Sequence, residues 1–223
     1  MSMSARDVIL MDVRGALGAS KQARRGPRDI TEEANALLAD IDKTRPTLPD
    51  NDPVESFAQR VVGPKVNATL DRIEQLDDVP SAVVRYVEAH SLERSTSVAP
   101  HQDLADLDWM GSNLNVVPDA SDGTFVALAG WAIAETGSVV LHSANDTPIL
   151  PNFLAATQIV IVYQSSIVAH LEDYIAAAQA AGDPAPRNAC LVTGPSGTSD
   201  IEGAFVRGAH GPRNVHIIIV SSL

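Results

Sequence analysis

The segment Gln158-Ile159-Val160-Ile161-Val162-Tyr163 is a continuous run of β-branched apolar residues bounded by polar ones, with no alternation between a wet and a dry face. A strand of this kind must be covered on both sides, as in parallel sheets sandwiched between helices. The residues C-terminal to it fit that frame. Ile167, His170, Leu171, Tyr174 and Ala178 recur at helical spacing and predict a helix from about Ile167 to Ala181, ended by Gly182-Asp183-Pro184. Strand Ala189 to Thr193 comes next, then a Gly/Ser loop, a short helix from about Asp200 to Arg207, and a final strand Val215 to Val220. The order is β-α-β-α-β, with connections long enough for crossovers between parallel strands. It predicts an α/β fold, a Rossmann-like three-layer sandwich.

Upstream, Thr136-Gly137 separates the apolar stretch Trp131–Glu135 from Ser138-Val139-Val140-Leu141-His142 and predicts a β-hairpin with a positive φ at Gly137. Further towards the N-terminus, Val54, Phe57, Ala58, Val61 and Val62 mark a helix from about Pro53 to Val62, stopped by Gly63-Pro64. A helix at Ile30–Ile41 is expected before the Pro-rich linker at Pro46–Pro53, and one at Ser81–His90 after it. Short strands are expected at Val66–Leu70 and Ser95–Ala99, and an acidic helical stretch at Asp103–Met110. Residues 1–28, ending in a basic run, read as peripheral or poorly ordered. The expected division is an N-terminal tail with helices over 1–62 and an α/β domain over 63–223.

With 28 acidic and 16 basic residues, the net charge of -12 disfavours nucleic acid or anionic lipid as a general partner. No stretch has the length and apolarity of a membrane span or a secretory h-region, so membrane insertion is not expected and a cytoplasmic location is. The single cysteine, Cys190, cannot build a disulfide framework or ligate a cluster within one chain. It reads as a small core residue. The six histidines show no metal-ligand spacing, and no cofactor is expected.

Three segments carry candidate chemistry. Gly194-Pro195-Ser196-Gly197-Thr198-Ser199-Asp200-Ile201-Glu202 lies between a buried strand and a helix, where an open α/β sheet places its ligands. Its backbone N–H groups, with the Ser196 and Thr198 hydroxyls, suit a small anion. Ser199-x-x-Glu202 is equally a capping box, with Asp200 complementing the helix dipole. Glu135, beside Thr136 and Gly137, is either a solvated turn residue or a base or nucleophile at a strand edge. His210, in Gly208-Ala209-His210-Gly211-Pro212, is either a loop histidine or a proton shuttle folded over the site.

Taken together, Ala132–Ser138, Thr193–Glu202 and Gly208–Pro212 are similar to the signature segments of the LUD-domain family of lactate-utilisation proteins, in the same order and spacing. The resemblance covers roughly residues 120 to 220. It implies a fold related to the NagB/RpiA/CoA-transferase group. It also implies a part in oxidising L-lactate to pyruvate, as a cofactor-free subunit beside partner proteins bearing iron–sulfur clusters. By motif position it singles out Glu135 and His210 as catalytic candidates. Its ligand-binding candidates are Thr136, Gly137, Gly194, Pro195, Ser196, Thr198, Asp200, Glu202, Gly211 and Pro212. One departure is visible: Asn145-Asp146-Thr147-Pro148-Ile149-Leu150-Pro151 lacks the basic residue that family members commonly carry there. The fold-level alternative is an acyl- or CoA-handling enzyme, or a binder of organic anions, with Glu135 as nucleophile.

Overall fold

The computed structural model describes residues 5–18, 27–39, 45–119, 121–182, 185–199 and 205–222. The chain divides into two compact units, Met1–Arg45 and Pro46–Leu223. The first contains helices α1 (Ala5–Gly18) and α2 (Pro27–Ala39). Of the two expectations for residues 1–28, peripheral or poorly ordered, the second gives way to a helix over Ala5–Gly18, whose residues 6–15 are exposed. The second unit begins before residue 63, because helix α3 (Pro53–Val62) buries Phe57 and Val61 in the α/β core. Its start is set by local sequence: the Asp52 carboxylate accepts the Val54 N–H at 2.9 Å and Pro53 occupies the first turn.

After α3 come β1 (Thr69–Ile73), α4 (Val79–Ala89), β2 (Ser95–Val98), α5 (Gln102–Ala105), β3 (Asn115–Val116) and β4 (Thr124–Leu128). Then come β5 (Trp131–Ile133), β6 (Ser138–His142), α6 (Pro151–Leu154), β7 (Thr157–Tyr163), β8 (Ile167–Val168) and α7 (Leu171–Ala180). The last elements are β9 (Ala189–Val192), β10 (Gly197–Ser199), β11 (Phe205–Arg207) and β12 (Asn214–Val220). The acidic stretch expected to be helical from Asp103 to Met110 makes only the single turn of α5.

Six strands form a parallel sheet in the order β1-β12-β7-β4-β2-β3. The two apolar runs read from sequence, β7 and β12, are adjacent within it. Ile159, Ile161 and Ile218 are wholly buried there, each burial contributing roughly 1.5–3 kcal/mol. Among the described residues, no helix is long and apolar enough to cross a membrane.

Strand β9 departs from expectation. It pairs antiparallel with β6, in a second sheet of order β8-β5-β6-β9, and does not join the parallel sheet. The hairpin predicted around Gly137 is the β5–β6 ribbon of that sheet, with φ +72 at Gly137. The short helix expected from Asp200 to Arg207 is also absent where the chain is described. Gly197–Ser199 and Phe205–Arg207 pair as an antiparallel ribbon instead.

Gly194 joins the second sheet to the loop after α3. Its φ is +79, and a Cβ built there would stand 2.1 Å from the Val66 carbonyl oxygen, so only glycine lets the two backbones meet. Gly182 has nearly the same φ, +74, but nothing within 4 Å of a built Cβ. Gly182→Ala should therefore cost about 1 kcal/mol of backbone strain, and Gly194→Ala at least about 3 kcal/mol. Urea unfolding of the two variants measures the difference; equal costs would mean that the Gly194–Val66 approach is not a real constraint.

A second prediction concerns acid stability. His216 is 4% exposed, stacks on Tyr86 at 4.1 Å and shares a 2.9 Å hydrogen bond with Thr69 Oγ1. Its Nε2 is buried without a partner among the described residues. Burial, the largest cause, pushes the imidazole down to about 4 from 6.5. Between those values the unfolded chain binds the proton and the folded chain does not. Stability is thus complete above about pH 6.5 and is lost as pH falls towards 4, by up to about 3 kcal/mol. His216→Phe, which keeps the stack and cannot protonate, should lose distinctly less stability between pH 7 and pH 5 in urea titrations.

Candidate functional site

Ser196 ties two of the three candidate segments together. Its N–H donates to the Pro212 carbonyl at 2.9 Å, its carbonyl accepts the Gly208 N–H at 2.9 Å, and its Oγ accepts the His210 N–H at 3.4 Å. Gly211 packs on it so closely that a built Cβ would lie 3.3 Å from Ser196 Cβ. With its oxygen accepting from His210, the Ser196 hydroxyl keeps its hydrogen free to donate. Gly194, Ser196, His210, Gly211 and Pro212 line one cleft of about 210 Å³. His210 also borders a neighbouring cleft of about 350 Å³ that Arg213 shares.

Asn152 and Gln158 line the smaller cleft, and motif reasoning did not find them. Asn152 Nδ2 donates to the carbonyls of Pro148 and Ile149 at 3.0 and 3.2 Å. That fixes its Oδ1 towards Gln158, whose Nε2 donates to it at 2.7 Å. Gln158 Oε1 then faces the other way, buried and without a partner among the described residues. An unsatisfied acceptor inside a protein costs about 1–3 kcal/mol unless something donates to it. The signal was present in sequence: Gln158 is a long polar side chain directly before the apolar run Ile159–Val162 of a central strand.

Cys190 packs against the core as the small strand residue expected, and, being only partly buried, also borders the same cleft. Burial nonetheless pushes its thiol up, away from the reactive thiolate. Because β9 lies in the second sheet, the loop after it is not at the carboxyl edge of the parallel sheet. The cleft instead brings β9 and the turn beyond it together with the start of β7 and the turn before β12.

The hairpin tip connects to this region through hydroxyls. Thr136 Oγ1 and Ser138 Oγ are 2.7 Å apart, and Ser138 Oγ and Thr193 Oγ1 2.6 Å. Gly137 packs on Arg60 and Val66, the residue that Gly194 also meets. Glu135 turns elsewhere. Its N–H donates to the Ala169 carbonyl at 3.0 Å, and its carboxylate accepts from His170 Nδ1 at 2.9 Å. The His170 N–H in turn donates to Asp173 at 3.1 Å. His170 was expected on a helix face; it stands instead at the N-terminal cap of α7, locking the hairpin tip to that helix.

Pro195 borders a third cleft, opposite the loop after α3, and Thr198 lies in β10 paired with Val206. Asp200 and Glu202, with the capping box they were expected to complete, lie outside the described residues. Among the described residues, no group of three or more His, Cys, Asp or Glu side chains is placed to hold a metal ion.

The fold is shared with the crystal structure of a DUF162 family protein from Deinococcus radiodurans. The TM-score is 0.51 at 19% identity, covering 76% of this chain and 96% of that one. In sequence, lactate utilization protein C of Geobacillus thermodenitrificans is 35% identical over 112 residues, 49% of this chain and 46% of that protein. Lactate utilization protein C of Bacillus subtilis is 35% identical over 119 residues, 52% and 49% of the two chains. The match to the Oceanobacillus iheyensis protein of the same name is longer, at 27% identity over 161 residues, 70% and 68%. The chain spans about half the length of the first two relatives. The model of the LUD domain matches residues 121–220, which contain both Ser196-linked segments and the hairpin. Residues 121–220 match the LUD domain, and the chain is a distant homologue of lactate utilization protein C over about half its length.

Proposed function

We propose that this chain is a cytoplasmic component of an L-lactate oxidation system, and that the Ser196–His210 cleft binds lactate. Its architecture is read as the NagB/RpiA/CoA-transferase-like three-layer type. One observation carries the ligand assignment: Ser196, whose hydroxyl is free to donate, lines the same cleft as Gln158, whose buried Oε1 has no partner among the described residues. An α-hydroxy acid has the complementary pair, a carboxylate that accepts and a hydroxyl that donates. Pyruvate keeps the carboxylate and lacks the donor, so the same cleft would hold the product less tightly than the substrate. The names of the relatives, lactate utilization protein C, support the same reading.

In this proposal the electrons leave through iron–sulfur partner proteins. One cysteine per chain cannot ligate a thiolate-bound cluster, so those centres belong to other subunits. Glu135 works by orienting His170, since its carboxylate is already engaged at 2.9 Å and is not poised as a free nucleophile.

A clean deletion strain, with no second copy of the gene, should fail to grow on L-lactate and grow normally on pyruvate. Complementation with the wild-type chain should restore growth, and Ser196→Ala should restore it poorly while accumulating to wild-type levels. Normal growth of the deletion strain on lactate would overturn the proposal.

A further inference from the structure

We propose that Lys65 and Arg207 form a second anion site, apart from the Ser196–His210 cleft, that takes the phosphate group of a small phosphorylated ligand. The two residues line a cleft of about 320 Å³ with Asn67, Pro195 and Gly197, and it shares no lining residue with the first cleft. Its walls are fixed relative to each other. Lys65 and Asn67 flank Val66, whose carbonyl meets Gly194 where no Cβ fits. Arg207 stands opposite Gly197 in the β10–β11 ribbon, so the ladder sets its place on the other wall.

Charge singles out this cleft. The chain carries 28 acidic residues against 16 basic ones, so its overall field repels anions and any anion must be drawn by cations close at hand. Elsewhere in the α/β unit, Arg72, Arg85 and Arg94 are engaged by Glu55, Asp71 and Glu88, while Arg213, which has no such partner among the described residues, lines a cleft with the carboxylate-bearing Asp122. Among the described residues, neither Lys65 nor Arg207 has such a partner. A third cation adjoins them: Arg60 shares a neighbouring cleft of about 250 Å³ with Lys65, and its Nε is buried without a partner among the described residues. An acidic protein thus sets three cations along one stretch of surface with no described carboxylate to neutralise them.

The arrangement suits phosphate better than carboxylate. A planar carboxylate is satisfied by a single guanidinium fork. A tetrahedral phosphate dianion presents oxygens in several directions and matches separate donors on opposite walls, here an ammonium, a guanidinium and the Asn67 amide.

The test uses the full chain at low ionic strength with inorganic phosphate and pyrophosphate as probes, read by thermal unfolding and phosphorus NMR. Both probes should bind saturably and raise the melting temperature beyond what chloride of equal ionic strength does. Lys65→Ala and Arg207→Ala, both at exposed positions, should each weaken binding about tenfold and together abolish it. Ser196→Ala should leave it unchanged, which separates this site from the lactate cleft whatever the fate of that proposal. Non-saturable binding, wild-type affinity in the Lys65/Arg207 double variant, or loss of binding in Ser196→Ala would each overturn the assignment.

Discussion

The close approach of two backbones at Gly194 and Val66 is the constraint from which the functional region is organised. It joins the end of β9 to the loop after α3, two pieces remote in sequence and belonging to different layers. A side chain at residue 194 would have to push the Val66 carbonyl away, and with it the wall that carries Lys65 and Asn67. The Gly194–Ser196 turn is then fixed at one end by packing and at the other by the hydrogen bonds of Ser196 to Gly208 and Pro212. Packing at one end and hydrogen bonds at the other hold the walls of the cleft.

Much of the fold was legible because local physics dominates it. The apolar runs of β7 and β12, Ile159–Val162 and Ile217–Val220, have no solvent face to offer and sit side by side within the parallel sheet. Thr136-Gly137 makes the turn its chemistry suggests. What a strand pairs with is a different matter. Ala189–Val192 has a strand's composition but nothing in it says which sheet it joins, and it joins the antiparallel one. The expected helix from Asp200 to Arg207 rested on a pattern, Ser-x-x-Glu, that starts helices in many chains; its described end, Phe205–Arg207, pairs as a strand with Gly197–Ser199.

The site was legible in part for the same reason. Glycine, proline and serine segments announced loops that meet at Ser196. The groups that face them came from positions without a motif. Gln158 was visible only as a long polar side chain before the apolar run of a buried strand, and Asn152 only through the hydrogen bonds that orient Gln158. Gly194 looked like a turn glycine poised for an anion; its positive φ does turn the chain, and the absent Cβ makes room for a carbonyl instead. Glu135 looked like a free carboxylate, yet His170, thirty-five residues on, already occupies it.

If the cleft discriminates by hydrogen bonding, the hydroxyl of its ligand must matter more than its size. Calorimetric titration of the intact protein with L-lactate and with propionate, which differ by that one hydroxyl, tests this directly. The account predicts that lactate binds at least about tenfold more tightly, because propionate leaves Gln158 Oε1 unsatisfied. Equal affinity for the two acids, or no binding of either, would contradict it.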